Sequence, residues 1–142
     1  MVRSRVYKGR PRGVPPSGYI DRVSDAFRGL IDTFGRGWEQ GDPDAMTSVF
    51  TPDATFQDSP FSAKETGHAA IRAYWTDLPK NQAEVSFKAG EILGAGPWFA
   101  TEYRCTFRRR RTGEWVDVRG VMICETKDGK ISEMRMYFHR SA

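Results

Sequence analysis

The fold is decided by the last third of the chain, residues 98 to 139, which read WFATEYRCTFRRRRTGEWVDVRGVMICETKDGKISEMRMYFH. Apolar and polar residues alternate along this run, which is typical of β-strands with one buried face. Breaks at Gly113 and Gly129 mark hairpin turns, and a further turn precedes Trp98. The predicted strands span 84–93, 98–109, 114–126 and 130–139. Together they predict an antiparallel meander.

The part of the chain before these strands has the spacing of helices. Apolar residues of the segment 19–40 recur three and four positions apart, which predicts an amphipathic helix that ends at Gly41. Asp42 and Pro43 supply an N-cap and a first-turn proline for a short second helix, which Pro52 is expected to end. The remaining predicted elements are a strand over 54–59 and a third helix over about 68–78. Helices followed by an antiparallel meander predict the α+β class.

Composition indicates one domain preceded by a basic arm. The chain has 142 residues, of which 39% are hydrophobic and 13% aromatic, enough for a single domain with its own core. Five basic residues precede Asp21, the first acidic one, and account for the formal net charge of +4. We therefore expect a flexible basic arm over 1–18 and a domain over 19–142. The arm is either a solvated tail or a segment that touches phosphate groups. Nucleic-acid binding is not expected of the nearly neutral remainder.

Several functional classes are not expected from the sequence. No stretch has the apolar run of a signal peptide or of a membrane span, so we expect a cytoplasmic protein without membrane contact. Cys105 and Cys124 are expected to be reduced core thiols. Together with His68 and His139 they lack the spacing of a metal site, so no metal or cofactor is expected.

The alternation sorts the strand residues onto two faces of the sheet. The apolar face, which the helices are expected to cover, consists of Val85, Phe87, Thr101, Tyr103, Cys105, Phe107, Val118, Gly120, Met122, Cys124, Met134, Met136 and Phe138. The opposite face consists of Glu84, Lys88, Glu102, Arg104, Asp117, Arg119, Glu133, Arg135 and His139. Val121, Ile123 and Tyr137 interrupt these charges, which suits either a homodimer interface or a solvated sheet surface.

Three passages resemble a known family. They are Gly41-Asp42-Pro43-Asp44-Ala45, Phe50-Thr51-Pro52-Asp53-Ala54-Thr55-Phe56-Gln57-Asp58 and Gly67-His68-Ala69-Ala70-Ile71. They are similar to the SnoaL-like and ketosteroid-isomerase-like branches of the nuclear transport factor 2 superfamily, over about residues 20–140. The resemblance implies a cone in which three helices pack on a strongly curved, mainly antiparallel sheet around a pocket. The superfamily contains isomerases, cyclases, hydrolases, dehydratases and binding proteins, so the resemblance alone does not fix the chemistry.

Asp58 matches the position of the catalytic aspartate of ketosteroid isomerases, and it shares strand parity with Phe56. The resemblance therefore implies an inward-facing general base. The alternative is an aspartate that caps the turn before Pro60. Tyr103 lies on the apolar face, where its phenol could donate a hydrogen bond to a ligand oxygen. The alternative is a core tyrosine whose hydroxyl binds a backbone group.

The sequence departs from the catalytic patterns of its relatives. Ketosteroid isomerases have an oxyanion hole made by a tyrosine and an acid, and the matching positions here are Phe34 and Gly120. Limonene epoxide hydrolases need an Asp–Arg–Asp set, and those places hold Cys105, Tyr103 and Met136. Neither activity is therefore expected in its established form.

The resulting hypothesis is a SnoaL-like isomerase or cyclase that performs acid/base chemistry on a small apolar or polycyclic carbonyl compound. The alternative is a binding or sensing module with the same pocket and no chemistry. The predicted catalytic residues are Asp58 and Tyr103. The predicted pocket residues are Phe34, Phe56, Trp75, Trp98, Thr101, Gly120, Met122, Met136 and Phe138.

Overall fold

The computed structural model describes the backbone of residues 17–141 and the side chains of residues 25–141. The predicted basic arm therefore lies outside the described residues, except that Ser17 and Gly18 already belong to the first helix. Among the described helices, none combines the length and the apolar character needed to cross a membrane.

Three α-helices precede or interrupt the strands within residues 17–141. They are α1 (Ser17–Gln40), α2 (Pro43–Ser48) and α3 (His68–Asp77), and α3 continues into a single 3-10 turn, Leu78–Lys80. The strands are β1 (Phe50–Gln57), β2 (Glu65–Thr66), β3 (Gln82–Ala95), β4 (Trp98–Arg109), β5 (Trp115–Lys127) and β6 (Lys130–Arg140). The predicted α+β architecture and its three helices are confirmed. The predicted N-cap is also present, because Asp42 Oδ1 accepts a hydrogen bond from the Ala45 amide at 3.1 Å.

The strands form one sheet in the order β2-β1-β6-β5-β4-β3. The three hairpin pairs from β3 to β6 are antiparallel, whereas β1 lies parallel to β6. The sheet is therefore mixed. Pro52 was expected to end α2 but lies inside β1, where the pairing with β6 is interrupted between Phe50 and Thr55. A proline cannot donate to the ladder, so it is tolerated where the ladder is broken.

An aromatic cluster fills the space between α1, α3 and the apolar face of the sheet. Phe34 is fully buried at its centre. Its ring centroid lies 5.2 to 6.3 Å from those of four neighbours. These neighbours are Trp38, Phe50, Trp75 and Phe87. Most of the contacts are edge-to-face, which is a favoured geometry for aromatic pairs. The core of the cone is therefore packed with rings rather than hollow.

The predicted division of the sheet into two faces holds for most positions. Apart from the half-buried Gly120, the apolar set is buried from Phe87 to Met136, including the two free cysteines. On the opposite face Asp117 pairs with Arg104 at 3.0 Å and with Arg119 at 3.1 Å. These two guanidinium groups lower the pKa of Asp117 to about 2.

Gly120 lies where β5 and β6 approach too closely for a side chain. A Cβ atom placed there would lie 2.7 Å from Phe138 Cβ and 2.8 Å from Phe138 Cα, and it would also contact the carbonyl oxygen of Tyr137. Two of these atoms belong to the backbone and cannot rotate away. A glycine inside a strand often marks such a bend or close approach.

Replacing Gly120 with alanine is expected to lower the free energy of unfolding by about 3 kcal/mol, because the added methyl group overpacks a site that cannot yield. Gly29 provides the matched control, since a Cβ there would meet no atom within 4 Å. Gly29→Ala should stabilise α1 by about 0.5–1 kcal/mol. Denaturant unfolding of both variants tests this, and equal stabilities would contradict the close approach at Gly120.

Candidate functional site

An internal cavity of about 120 Å³ lies between α1, α3 and the apolar face of the sheet. Its walls come from elements that are far apart in sequence, and two of the lining residues are the predicted catalytic pair, Asp58 and Tyr103. The complete lining consists of Trp38, Asp58, Tyr74, Trp75, Leu78, Gln82, Tyr103, Phe107, Val118, Met136, Phe138 and Arg140. Most of these side chains are apolar or aromatic, and the few polar groups are well separated in sequence.

Asp58 follows directly after β1 and is half-buried. Its Oδ2 atom accepts a hydrogen bond of 2.8 Å from the Tyr74 hydroxyl. The turn that follows is held by another residue, because Ser59 Oγ accepts from the Phe61 amide and the Ser59 carbonyl accepts from the Ser62 amide. The carboxylate of Asp58 is thus held at the cavity by α3 rather than used as the cap of its own loop.

Tyr103 lies in the middle of β4 and is only 4% exposed. Its ring stacks on Phe87 with the centroids 5.8 Å apart. Burial raises the pKa of the Tyr103 phenol, and the nearby Cys105 and Asp58 raise it further. The hydroxyl therefore keeps its proton at neutral pH. Among the described side chains, residues 25–141, the hydroxyl has no hydrogen-bond partner, which leaves it as a donor at the cavity.

Tyr74 is a site residue that the sequence pattern did not separate from its neighbour. Helical spacing along α3 is satisfied by either Tyr74 or Trp75 as the buried residue. In the structure both face the core, with ring centroids 5.0 Å apart. Burial raises the pKa of Tyr74 above its usual range, and the hydrogen bond to Asp58 adds to the effect. Tyr74 therefore acts as a neutral donor that orients the carboxylate.

Of the predicted pocket residues, Trp75, Met136 and Phe138 line this cavity together with Asp58 and Tyr103. Six others do not line it. Phe34, Phe56, Thr101 and Met122 are almost completely buried in the core, and Gly120 and Trp98 lie elsewhere. The physical reason is that the aromatic cluster fills the deep part of the cone, so that the cavity lies toward its open end.

The placements of Trp98 and Gly120 differ from the prediction in another way. Trp98 has the strand parity of the outer face, where its ring lies under the Arg135 guanidinium at 5.5 Å. Gly120 lines a broad, open groove that also contains the outer-face residues Lys88 and Arg119. A tryptophan is apolar enough to suggest a pocket, but parity places this one on the charged face.

Sequence reasoning also missed polar residues at the cavity. Trp38 Nε1 donates to Gln82 Oε1 at 2.9 Å, which fixes the orientation of the Gln82 amide. Arg140 ends β6 with the same parity as Met136 and Phe138. Extending the alternation by one more residue of that parity would have found it. The Trp75 indole N–H is buried without a hydrogen-bond partner in the described chain.

No group of three or more metal-ligating side chains comes together among residues 25–141, whose side chains are described. The polar groups that line the cavity are a carboxylate, two phenols, an amide, two indoles and a guanidinium. Such a set can bind a small polar ligand, accept a proton and donate hydrogen bonds to an oxygen atom.

Three helices on a curved mixed sheet, with a cavity on its apolar face, define the cone-shaped class typified by nuclear transport factor 2. The family model of the SnoaL-like domain matches residues 31–134, well over half of the sequence. The chain therefore belongs to the SnoaL-like domain family, as the resemblance of its motifs predicted. A search of curated proteins finds no significant match.

Solved structures agree with this assignment. A protein of Bacillus subtilis, provisionally assigned as an isomerase, has 23% identity and a TM-score of 0.73, over 81% of this chain and 87% of that one. SalBIII, an epoxide hydrolase/cyclase-like enzyme with a role in pyran ring formation in polyether salinomycin, has 25% identity and a TM-score of 0.69, over 79% and 89%. A ketosteroid-isomerase-like protein of Catenulispora acidiphila, solved with trimethylamine, has 18% identity and a TM-score of 0.70, over 76% and 83%.

Proposed function

We propose that this protein is an isomerase- or cyclase-type enzyme that performs acid/base chemistry on a small carbonyl compound. The observation that carries the proposal is the meeting of Asp58 and Tyr103 at one internal cavity. Asp58 is a carboxylate held in place by Tyr74. Tyr103 is a neutral phenol with an unused donor. A base and a donor on the same cavity are what enolisation of a ketone requires.

In the proposed reaction, the Asp58 carboxylate takes a proton from the carbon next to the substrate carbonyl. The electrons of that C–H bond form an enolate, whose oxygen accepts a hydrogen bond from the Tyr103 hydroxyl. In an isomerisation, Asp58 returns the proton to another carbon of the conjugated system. In a cyclisation, the enolate carbon attacks a second carbonyl of the same molecule, and the proton passes to the new alkoxide.

The size of the cavity narrows the substrate. Pockets for drug-sized ligands usually measure about 300–1,000 Å³, whereas this one measures about 120 Å³. An engineered protein cavity of about 150 Å³ holds benzene. A compound with one ring therefore suits the enclosed space better than a polycyclic one, which would have to extend through the open end.

A second function has a specific observation in its favour. Efficient enolisation usually employs more than one preorganised donor, and each is worth about 2.7–4 kcal/mol. Phe34 and Gly120 stand where ketosteroid isomerases have their donors. Phe34 is enclosed by aromatic rings, and Gly120 does not line the cavity. Of the two phenols at the cavity, Tyr74 is already bound to Asp58, which leaves Tyr103 as the phenol that can bind the substrate oxygen. This favours a module that binds or senses a small carbonyl compound without transforming it.

One of the relatives bears on the choice between the two functions. SalBIII, at 25% identity, is described as an enzyme of ring formation, which supports the catalytic proposal. The Catenulispora protein is described with bound trimethylamine, and that likeness at 18% identity extends to the fold alone. The local geometry, in which a hydrogen-bonded carboxylate lines the cavity, favours the catalytic proposal.

A thermal-shift comparison of 2-cyclohexenone with cyclohexene tests the proposal, using the wild type and Tyr103→Phe. We expect the enone to raise the Tm of the wild type. At 100 times its Kd the ligand should add about 2.7 kcal/mol to the free energy of unfolding. Loss of the hydroxyl should weaken enone binding about 2- to 10-fold. Cyclohexene should affect both proteins equally. Equal enone affinity for both proteins would contradict the role of Tyr103. Binding of several enones without turnover would favour the binding module.

We also propose that the chain forms a homodimer through the outer sheet face. On this face Val121, Ile123 and Tyr137 interrupt the charged residues. The face also contains a broad open groove. A monomer in sedimentation at micromolar concentration would remove this proposal. A cytoplasmic location likewise remains a proposal from the sequence.

A further inference from the structure

Arg140 carries a positive charge on the apolar face of the sheet. It has the strand parity of Met136 and Phe138, and it pairs across the ladder with Val118, which is also buried on that face. Exposure rises along this row from 3% at Met136 to 39% at Phe138, and Arg140 is exposed. The row therefore runs from the interior of the cone to its open end, and Arg140 stands at the mouth of the cavity.

Most other arginines with described side chains have a partner. Arg104 and Arg119 share Asp117, and Arg72 is bound to Asp44. Arg108 pairs with Glu84 on the neighbouring strand β3, and Arg109 pairs with Glu114 in the turn before β5. In the described part of the chain Arg140 makes neither an ion pair nor a side-chain hydrogen bond. Arg140 is therefore the arginine at the cavity whose charge is not paired among the described side chains, residues 25–141.

Gln82 supplies a second donor to the same cavity. Its Oε1 atom accepts the hydrogen bond from the Trp38 indole. The amide nitrogen of Gln82 takes no part in that bond, and among the described side chains, residues 25–141, it donates to no partner. Arg140 and Gln82 both line the cavity that contains Asp58 and Tyr103. Guanidinium and amide N–H groups are the donors that recognise carboxylates.

We infer that the ligand of this cavity is a ring compound that carries an anionic group, such as a carboxylate, in addition to its carbonyl. The inference rests on the proposed function, since it assumes that the carbonyl lies at Tyr103. The ring then occupies the enclosed space, and the anionic group points to the mouth and pairs with Arg140. The charge of the ligand thereby sets its orientation relative to Asp58.

The test compares two probes that share the enone ring and differ in one carboxylate group, 2-cyclohexenone and 3-oxocyclohex-1-ene-1-carboxylate, by calorimetric or NMR titration. In the wild type we expect the carboxylate to bind about three- to tenfold more tightly, a modest gain because Arg140 is exposed and partly screened by solvent. In Arg140→Gln the ratio of the two Kd values should fall to about one. Arg140→Lys should retain part of the preference, and Arg140→Glu should reverse it. The preference should also shrink as salt is added.

Arg111→Gln is the matched control, since Arg111 is an exposed arginine at the β4–β5 turn and does not line the cavity. It should leave the ratio unchanged. If 2-cyclohexenone binds but the carboxylate gains nothing, the inference is wrong and the proposed function stands. The inference is also overturned if Arg140→Gln weakens both probes equally, because the guanidinium would then act on their shared carbonyl. If neither probe binds, the proposed function is contradicted and the inference falls with it.

Discussion

Asp58→Asn is expected to lower kcat by about 10²- to 10⁴-fold on any carbonyl compound that the protein converts, because that range is typical of a general base. An amide has the shape of the carboxylate but cannot take a proton from carbon. It can still accept the hydrogen bond that Tyr74 donates to Asp58 at 2.8 Å. The variant should therefore fold normally and bind the substrate, so the loss should appear in kcat rather than in KM.

Asp53→Asn is the control for this variant, since Asp53 lies on β1, the strand that Asp58 directly follows, but is exposed and does not line the cavity. It should retain wild-type turnover. Steady-state kinetics and denaturant unfolding of both variants are required. Unchanged turnover in Asp58→Asn, with normal stability, would mean that the carboxylate is only a polar group of the pocket wall.

The largest effect on stability is expected at Phe34. Phe34→Ala should lower the free energy of unfolding by about 4 kcal/mol, within the range for buried phenylalanines. The ring is fully buried, and its loss would leave a cavity bordered by large rings that cannot collapse around it. For a domain of this size the Tm should fall by about 15 °C.

Phe61→Ala makes the same chemical change at a surface site, because Phe61 is 97% exposed. Its cost should be within about 0.5 kcal/mol. Thermal and denaturant unfolding of the two variants separate burial from residue type. Similar stabilities would contradict the placement of Phe34 at the centre of the aromatic cluster.

The strands and the two faces of the sheet were predictable because burial in a sheet has a period of two and the hairpin turns are marked by glycines. The run from Trp98 to Arg109 was predicted with its observed bounds. The parallel pairing of β1 with β6 was not predictable from alternation, since it depends on how the first strand returns to the sheet after α2. The two-residue strand β2 is too short to produce any pattern.

The cavity was harder to predict than the fold, because its extent depends on how large rings fill a volume. Parity correctly placed Phe56 and Met122 on the inner side, but it cannot tell an inner residue in the packed core from one at an open cavity. Tyr74 shows a different limit, since its role depends on a contact with Asp58 that is 16 residues away. Arg140 was within reach of the alternation, which continues to the end of β6.

The most direct test of the central claim is deuterium exchange at the carbon next to the carbonyl of a bound ring ketone, followed by NMR in D₂O. The claim is that Asp58 moves a carbon-bound proton of a substrate held by Tyr103. We expect the wild type to catalyse exchange above the buffer rate, Asp58→Asn to abolish it, and Tyr103→Phe to slow it by about 10²- to 10³-fold. Exchange at the wild-type rate in Asp58→Asn would contradict the account.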